Sequence, residues 1–139
     1  MTRAGWRTLA VILALFAAGH TLGTTAPHVT HGAAEASVVR AMQDFRFPIM
    51  GFERSYWEFY IGFALTISVQ LALMAVIAWQ VGSLGDRAPR QARRMGVALL
   101  LGCAGIAVIS WFFFFAAPIV FSIVATLLAG VLVLRMKPA

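Results

Sequence analysis

The stretch YWEFYIGFALTISVQLALMAVIAWQVG, residues 56–82, decides the fold of this chain. It contains a single charged side chain, Glu58, near its start. A helix needs about 20 mainly apolar residues to cross a hydrocarbon core about 30 Å thick, so this stretch is long enough to cross with tilt. Tyr56, Trp57 and Tyr60 near one end and Trp79 near the other are typical of the two membrane–water interfaces. The stretch therefore predicts a transmembrane helix.

Apolar sequence elsewhere predicts three more spans, at about residues 6–22, 95–115 and 119–134. The last two share one long apolar run, which we divide at Ala116-Ala117-Pro118 because proline lacks an amide donor and disfavours helix at the residue before it. With 139 residues, 61% hydrophobic and 12% charged, the chain has room for four spans and excludes a large transporter or a two-domain enzyme. The predicted fold is all-α: a polytopic membrane protein with a single domain over residues 1–139, folded as a four transmembrane helix bundle.

Basic residues lie mainly on one side of the four predicted spans. Eight of the 11 flank segments that would share a side: Arg3, Arg7, Arg87, Arg90, Arg93, Arg94, Arg135 and Lys137. Cytoplasmic loops carry an excess of Lys and Arg. We therefore expect both termini and the loop 83–94 to be cytoplasmic and the loop 23–55 to lie outside.

The net charge of +6 does not predict a nucleic-acid partner. The basic cluster DRAPRQARR, residues 86–94, is explained by topology and by attraction to anionic lipid headgroups. The expected partners are membrane lipids, together with a second copy in a homodimer or a partner membrane protein. The lone cysteine, Cys103, excludes an internal disulfide and a metal cluster built from Cys. We expect no metal and no cofactor.

The N-terminal segment has a second interpretation. Arg3 and Arg7 before a short apolar run are also typical of a secretory signal peptide, with small residues around 24–26 as the cleavage region. Cleavage would leave three spans and remove His20. The retained helix and the cleaved peptide both stay open at this point.

The outer loop is predicted to hold a short amphipathic helix over residues 33–45, where apolar residues recur along one side. Such a helix either joins two spans at the outer interface or forms a lid over a cavity. His28 and His31 lie three residues apart, but Pro27 and Gly32 oppose helix formation and no third ligand is nearby in sequence. We expect solvated loop histidines there.

The candidate site lies at the outer ends of the predicted spans. An ionisable side chain within a span is costly and should be paired or face inward, which singles out Glu58, with Arg54 one turn earlier as its predicted ion-pair partner. Side chains at matching depth extend the site to a carboxylate, an imidazole, two hydroxyls and two phenols. The candidate ligand-binding residues are His20, Glu53, Arg54, Tyr56, Glu58, Tyr60, Ser110 and Ser122, and no catalytic residue is assigned.

The same residues are also compatible with purely structural roles. The ion pair of Glu58 can be purely structural. Ser110 and Ser122 can be packing residues whose hydroxyls bond to the preceding helical turn.

The segment GFERSYWEFYIGFAL, residues 51–65, resembles one found in small uncharacterised bacterial membrane proteins with four predicted spans. The resemblance is limited to the start of the second span and the residues just before it. It implies four helices and no activity. The expected location is the cytoplasmic (inner) membrane of a bacterium. A looser similarity is to four-span proteins of the DoxX type and to sterol-isomerase-like membrane domains, from which no residue roles carry over.

Three functions are compatible with these features. The first is binding of a lipid or small lipophilic ligand in an outer-leaflet pocket lined by His20, Arg54, Glu58 and Tyr60, with or without catalysis. The second is a non-catalytic accessory or structural membrane subunit, which tight packing without a cavity would favour. The third is a small dimeric transporter, which usually needs an acid near the middle of the membrane. The sequence has only Thr66 and Gln70 at that depth.

Overall fold

The computed structural model describes residues 3–136 and consists of five helices and one β-hairpin. In chain order these are α1 (Arg3–Thr25), α2 (Ala33–Asp44), β1 (Arg46–Ile49), β2 (Phe52–Ser55), α3 (Tyr56–Leu84), α4 (Pro89–Phe113) and α5 (Ala116–Leu134). Lys137, one of the basic residues used to predict orientation, lies outside the described residues.

Four helices, α1, α3, α4 and α5, are long and apolar enough to cross a membrane. They coincide with the four predicted spans, so the prediction of four long apolar helices is confirmed. Each of the four extends beyond its predicted bounds at one end or both, and the largest extensions are those of α1, which runs from Arg3 to Thr25, and of α4, which begins at Pro89. Arg and Gln form helix readily, and proline is favoured in the first turn, so the polar stretch before Met95 is helical.

The predicted turn at Ala116-Ala117-Pro118 is wrong. The break between α4 and α5 lies at Phe114 and Phe115, which have extended backbones, and Ala117 is helical. Pro118 is the third residue of α5, within the first turn, where backbone amides have no acceptor inside the helix. Its missing N–H therefore costs nothing at this position.

The described chain divides into two compact units. The core unit comprises residues 3–17 and 70–136, and the hairpin unit comprises residues 18–69. Helices α1 and α3 each contribute one part to each unit. The core unit thus contains segments of all four long helices, and the hairpin unit contains α2 and both strands.

Trp6 of α1 is the centre of packing in the core unit, and it is fully buried. A Cβ atom placed on Gly82 of α3 would lie 3.0 Å from Trp6 Cβ, and one placed on Gly96 of α4 would lie 3.0 Å from Trp6 Cη2 and 3.3 Å from Val133 Cγ2 of α5. Glycine at both positions therefore leaves the space that the indole occupies. All four long helices meet around this one side chain.

Small and apolar residues complete the core. Buried alanines of α5, Ala125 and Ala129, belong to the same buried cluster as Leu13 of α1, Ala78 of α3 and Cys103 of α4. The outward faces of the same helices are also apolar, and large exposed side chains of the core unit include Leu15, Leu73, Leu101, Trp111, Phe112, Leu127 and Leu134.

Two glycines of α4 provide a matched test of the Trp6 packing. Gly96→Ala places a methyl group against the rigid, fully buried indole, and we expect destabilisation by about 1–3 kcal/mol. Gly105→Ala, with nothing within 4 Å of the new methyl group, should leave stability unchanged or raise it by up to about 1 kcal/mol. Thermal unfolding of both variants in detergent measures the difference. Equal melting temperatures for the two variants would contradict the packing.

Candidate functional site

The hairpin that precedes α3 was not predicted from the sequence. Strand β1 pairs antiparallel with β2, with Arg46 opposite Ser55 and Phe47 opposite Arg54. Met50 and Gly51 connect the strands, and both have positive φ, as in the two-residue turns that match the twist of a hairpin. The hairpin brings residues of the loop 23–55 beside the first turn of α3.

The carboxylate of Glu58 is hydrogen-bonded at the start of α3. The backbone N–H of Ser55 donates to Oε2 of Glu58 at 2.7 Å, and the backbone N–H of Glu58 donates to Oγ of Ser55 at 3.2 Å. This reciprocal pair is a capping box, which satisfies amides that a helix start leaves without partners. The sequence carries its signature, Ser-x-x-Glu at 55–58, and this signature predicts a helix that begins directly after Ser55.

The predicted ion pair between Arg54 and Glu58 is wrong. Arg54 lies in β2, before the helix begins, and its guanidinium donates to the backbone carbonyl of Glu53 at 2.9 Å and lies over the ring of Phe52. The partner of Glu58 is Arg46 of β1, whose Nη2 is 3.7 Å from Oε2. The register of the hairpin explains the change, because it places Arg46 opposite Ser55, the residue that caps α3.

The two phenols of the predicted site pack in two different groups of aromatic rings. Tyr56 packs on Phe45 and Phe47, with ring centroids 5.9 and 4.9 Å away, and Tyr60 packs on Trp57 at 5.4 Å. Both phenols are more than half exposed. Beside Tyr56, an open groove of about 520 Å³ is lined by Val38, Ala41, Met42, Phe45 and Tyr56.

His20 has a partner of its own in the hairpin unit. Its Nδ1 lies 3.0 Å from Oγ of Ser68, a buried residue of α3. Within residues 3–136 no hydrogen bond or ion pair joins His20 to Glu58. His20 is therefore a satisfied hydrogen-bonding residue between two helices.

Ser110 and Ser122 lie in the core unit, and both are buried. The hydroxyl of Ser122 donates to the carbonyls of Pro118 and Ile119 at 2.7 and 3.0 Å, so it bonds to its own preceding turn. A void lined by Leu13, Phe16, Cys103 and Ser122, among others, is too small to hold a water molecule. This part of the core is closely packed.

A second polar cluster lies before α2, around Glu35. His28 Nε2 is 3.3 Å from one carboxylate oxygen, and the backbone N–H and Nδ1 of His31 contact the other. In the part of the chain that the structure describes, no group of three His, Cys, Asp or Glu side chains is arranged to hold a metal ion. The cluster instead fixes the loop to the first turn of α2, and His28 also contacts the edge of Trp57.

Comparisons with known proteins give no relative for this chain. No family model matches it, and no match was found among the curated proteins or the solved structures. The resemblance of residues 51–65 to a bacterial membrane family stays a prediction.

Substitutions at Glu58 separate capping from charge. Glu58→Gln retains an oxygen for the Ser55 amide and loses an exposed ion pair worth about 0–1 kcal/mol, so stability should change little. Glu58→Ala and Ser55→Ala each remove part of the capping box and should cost about 0.5–2 kcal/mol. Glu53→Ala is the control and should melt like the wild type, because the Glu53 carboxylate makes no hydrogen bond or ion pair with a described residue. A glutamine variant as unstable as the alanine variant would show that charge, and not capping, holds this helix start.

The contacts between Glu35 and the loop before α2 should be lost at low pH. The hydrogen bond from the backbone N–H of His31, with further contacts from both histidines, lowers the pKa of the Glu35 carboxyl below its ordinary value of 4.5. The ionised Glu35 carboxylate therefore stabilises the folded loop fully above pH 4.5, and this stabilisation is lost as the pH falls through the lowered pKa. An NMR titration of the His31 amide proton should give a midpoint below 4.5, and Glu35→Gln should abolish that step. A midpoint at or above 4.5 would contradict the hydrogen bond.

Proposed function

We propose that this chain is a four-span integral membrane protein that acts as a non-catalytic accessory or structural subunit, located in the inner membrane of a bacterium with both termini cytoplasmic. The observation that carries the proposal is the position of Glu58. Its carboxylate serves the capping box of α3 and the ion pair with Arg46. The residue that the sequence marks most strongly for ligand chemistry thus has a structural role.

Helix length and surface composition support membrane insertion. The shortest of the four long helices, α5, has 19 residues and spans about 28 Å at 1.5 Å per residue, close to the hydrocarbon thickness of about 30 Å. Bulky apolar side chains such as Leu101, Phe112 and Leu127 are exposed on these helices, and a soluble protein seldom exposes such large apolar faces. In a bilayer these faces contact lipid.

The placement of charged and aromatic residues supports the proposed orientation, in which both termini are cytoplasmic. Seven arginines lie at the helix ends around Trp6, the side that the positive-inside rule assigns to the cytoplasm. Tyr56, Trp57 and Tyr60 mark the opposite end of α3, as expected for an outer interface. Helix α2 has no buried residue, so its apolar side is available to lie in the outer interface as an amphipathic helix. We expect α1 to be retained, because it supplies Trp6 to the core.

The other functions find less support. From Phe59 to Leu84 helix α3 has no acidic or basic residue, so it offers no mid-membrane carboxylate for proton-coupled transport. Binding of a lipid or small lipophilic ligand remains the second candidate, because the open groove beside Tyr56 is apolar and roomy. Its lining residues differ from the pocket of His20, Arg54, Glu58 and Tyr60 that the sequence suggested.

Mass spectrometry of gently purified protein tests the choice between the two functions. The experiment compares the organic extract and the mass of the intact complex for wild type, Glu58→Gln and Ala41→Trp, the last of which fills the groove. An accessory subunit should give the same bulk lipid from all three and a complex heavier than the 15.0 kDa chain. A small molecule that is lost from either folded variant would overturn the accessory role. Because Glu58→Gln should melt like the wild type, such a loss could not be attributed to unfolding.

A further inference from the structure

One end of the core unit carries a large excess of positive charge. This basic end holds Arg3, Arg7, Arg87, Arg90, Arg93, Arg94 and Arg135, with Asp86 as the one acid in the described part of the core unit. The three ion pairs found among residues 3–136 all lie in the hairpin unit. The arginines of the basic end thus have no carboxylate partner among the described residues.

Two of these arginines are partly buried, and each has a polar atom that finds no partner. Nε of Arg7 and Nε of Arg93 are out of contact with solvent and make no hydrogen bond to a described residue. The Arg7 guanidinium lies over the ring of Trp79, 4.7 Å from its centre. Arg7 follows Trp6 along α1, and Arg93 lies one turn before Gly96, the glycine that faces the Trp6 ring. Both arginines therefore lie at the same helix junction.

The local electrostatics of the basic end are unfavourable without an anion. Arg3 and Arg7 on α1, and Arg90 and Arg94 on α4, are like charges one turn apart, which repel. Both pairs lie near helix N-termini, where the helix dipole also disfavours a cation. Neither helix has an acidic residue in its first turn.

We propose that the basic end of the core unit binds the phosphate oxyanion of an anionic phospholipid, with the guanidinium groups of Arg7 and Arg93 as donors. A guanidinium binds phosphate through directed, charge-assisted hydrogen bonds. A phospholipid is the fitting source of the phosphate because the flanking helix faces are apolar, with Val11 and Val76 more than half exposed for contact with acyl chains. The choice of a lipid as the source of the phosphate rests on the proposed membrane insertion. The phosphate-binding site itself does not depend on it.

Thermal unfolding in a neutral detergent tests the site with phosphatidylglycerol as the probe. A ligand that binds only the folded state raises the melting temperature as its concentration increases. Phosphatidylglycerol should stabilise the wild type, whereas phosphatidylcholine at the same concentration should not. Arg7→Gln and Arg93→Gln should each weaken the apparent affinity for phosphatidylglycerol about tenfold. Arg93→Lys, which keeps the charge but loses the planar group of donors, should also weaken it, and it serves if a glutamine variant fails to fold.

Arg94→Gln is the matched control. Arg94 is the next residue of α4 and is exposed, so its loss removes the same charge without a buried donor. It should bind phosphatidylglycerol within about twofold of the wild type, since it removes a screened surface charge. An equal loss in Arg94→Gln and Arg93→Gln would overturn the site in favour of general charge attraction. Equal stabilisation by phosphatidylcholine, or by inorganic phosphate alone, would overturn the anionic lipid as the ligand.

The failure of this inference is distinguishable from the failure of the proposed function. Resistance of the expressed chain to alkaline carbonate extraction reports membrane insertion independently of any lipid preference. A chain that resists extraction but shows no phosphatidylglycerol effect contradicts the lipid site alone. A chain released by carbonate contradicts the membrane function, whatever the melting experiments show.

Discussion

The fit of Trp6 against two glycines is the constraint on which the core unit depends. Small residues at helix contacts let two helices approach closely, which strengthens the packing between them. The indole fills the space that Gly82 and Gly96 leave open, and Val133 also lies beside Gly96. One side chain of α1 thereby fixes the end of α3, the start of α4 and the end of α5. Removing α1 would leave two facing glycines around an empty volume, which is why the first helix is integral to the packing.

The sequence predicts the four long helices because apolar length is a property of the chain itself. It does not predict the break at Phe114 and Phe115, since the preference for non-helical residues before proline is overridden when proline lies in the first turn of a helix. It also does not predict the hairpin. Strands of four residues that include Pro48 give no clear alternation, and their stability depends on aromatic contacts such as that of Phe47 with Tyr56, which are visible only in three dimensions.

The ion-pair partner of Glu58 was predicted wrongly, because the residues before α3 were taken to be helical. The start of α3 is chemically unusual, but spacing along an assumed helix suggested Arg54 for Glu58, whereas a strand before the helix brings Arg46. Residues predicted to lie at the same depth in a membrane need not contact one another. His20 illustrates this, because its partner is the hydroxyl of Ser68, a residue that the depth argument did not consider.

The distribution of charge separates the two units in chemical terms. In the hairpin unit, Glu35 is held by two histidines and a backbone amide, and Glu58 by Ser55 and Arg46, so these carboxylates are satisfied within the chain. In the core unit, no described acid pairs with the arginines, and Arg7 and Arg93 bury donors without acceptors. An unpaired buried donor is costlier than an exposed charge. The charged groups without a partner in the described chain therefore lie at the basic end. A search for what this protein binds is better directed there than at Glu58.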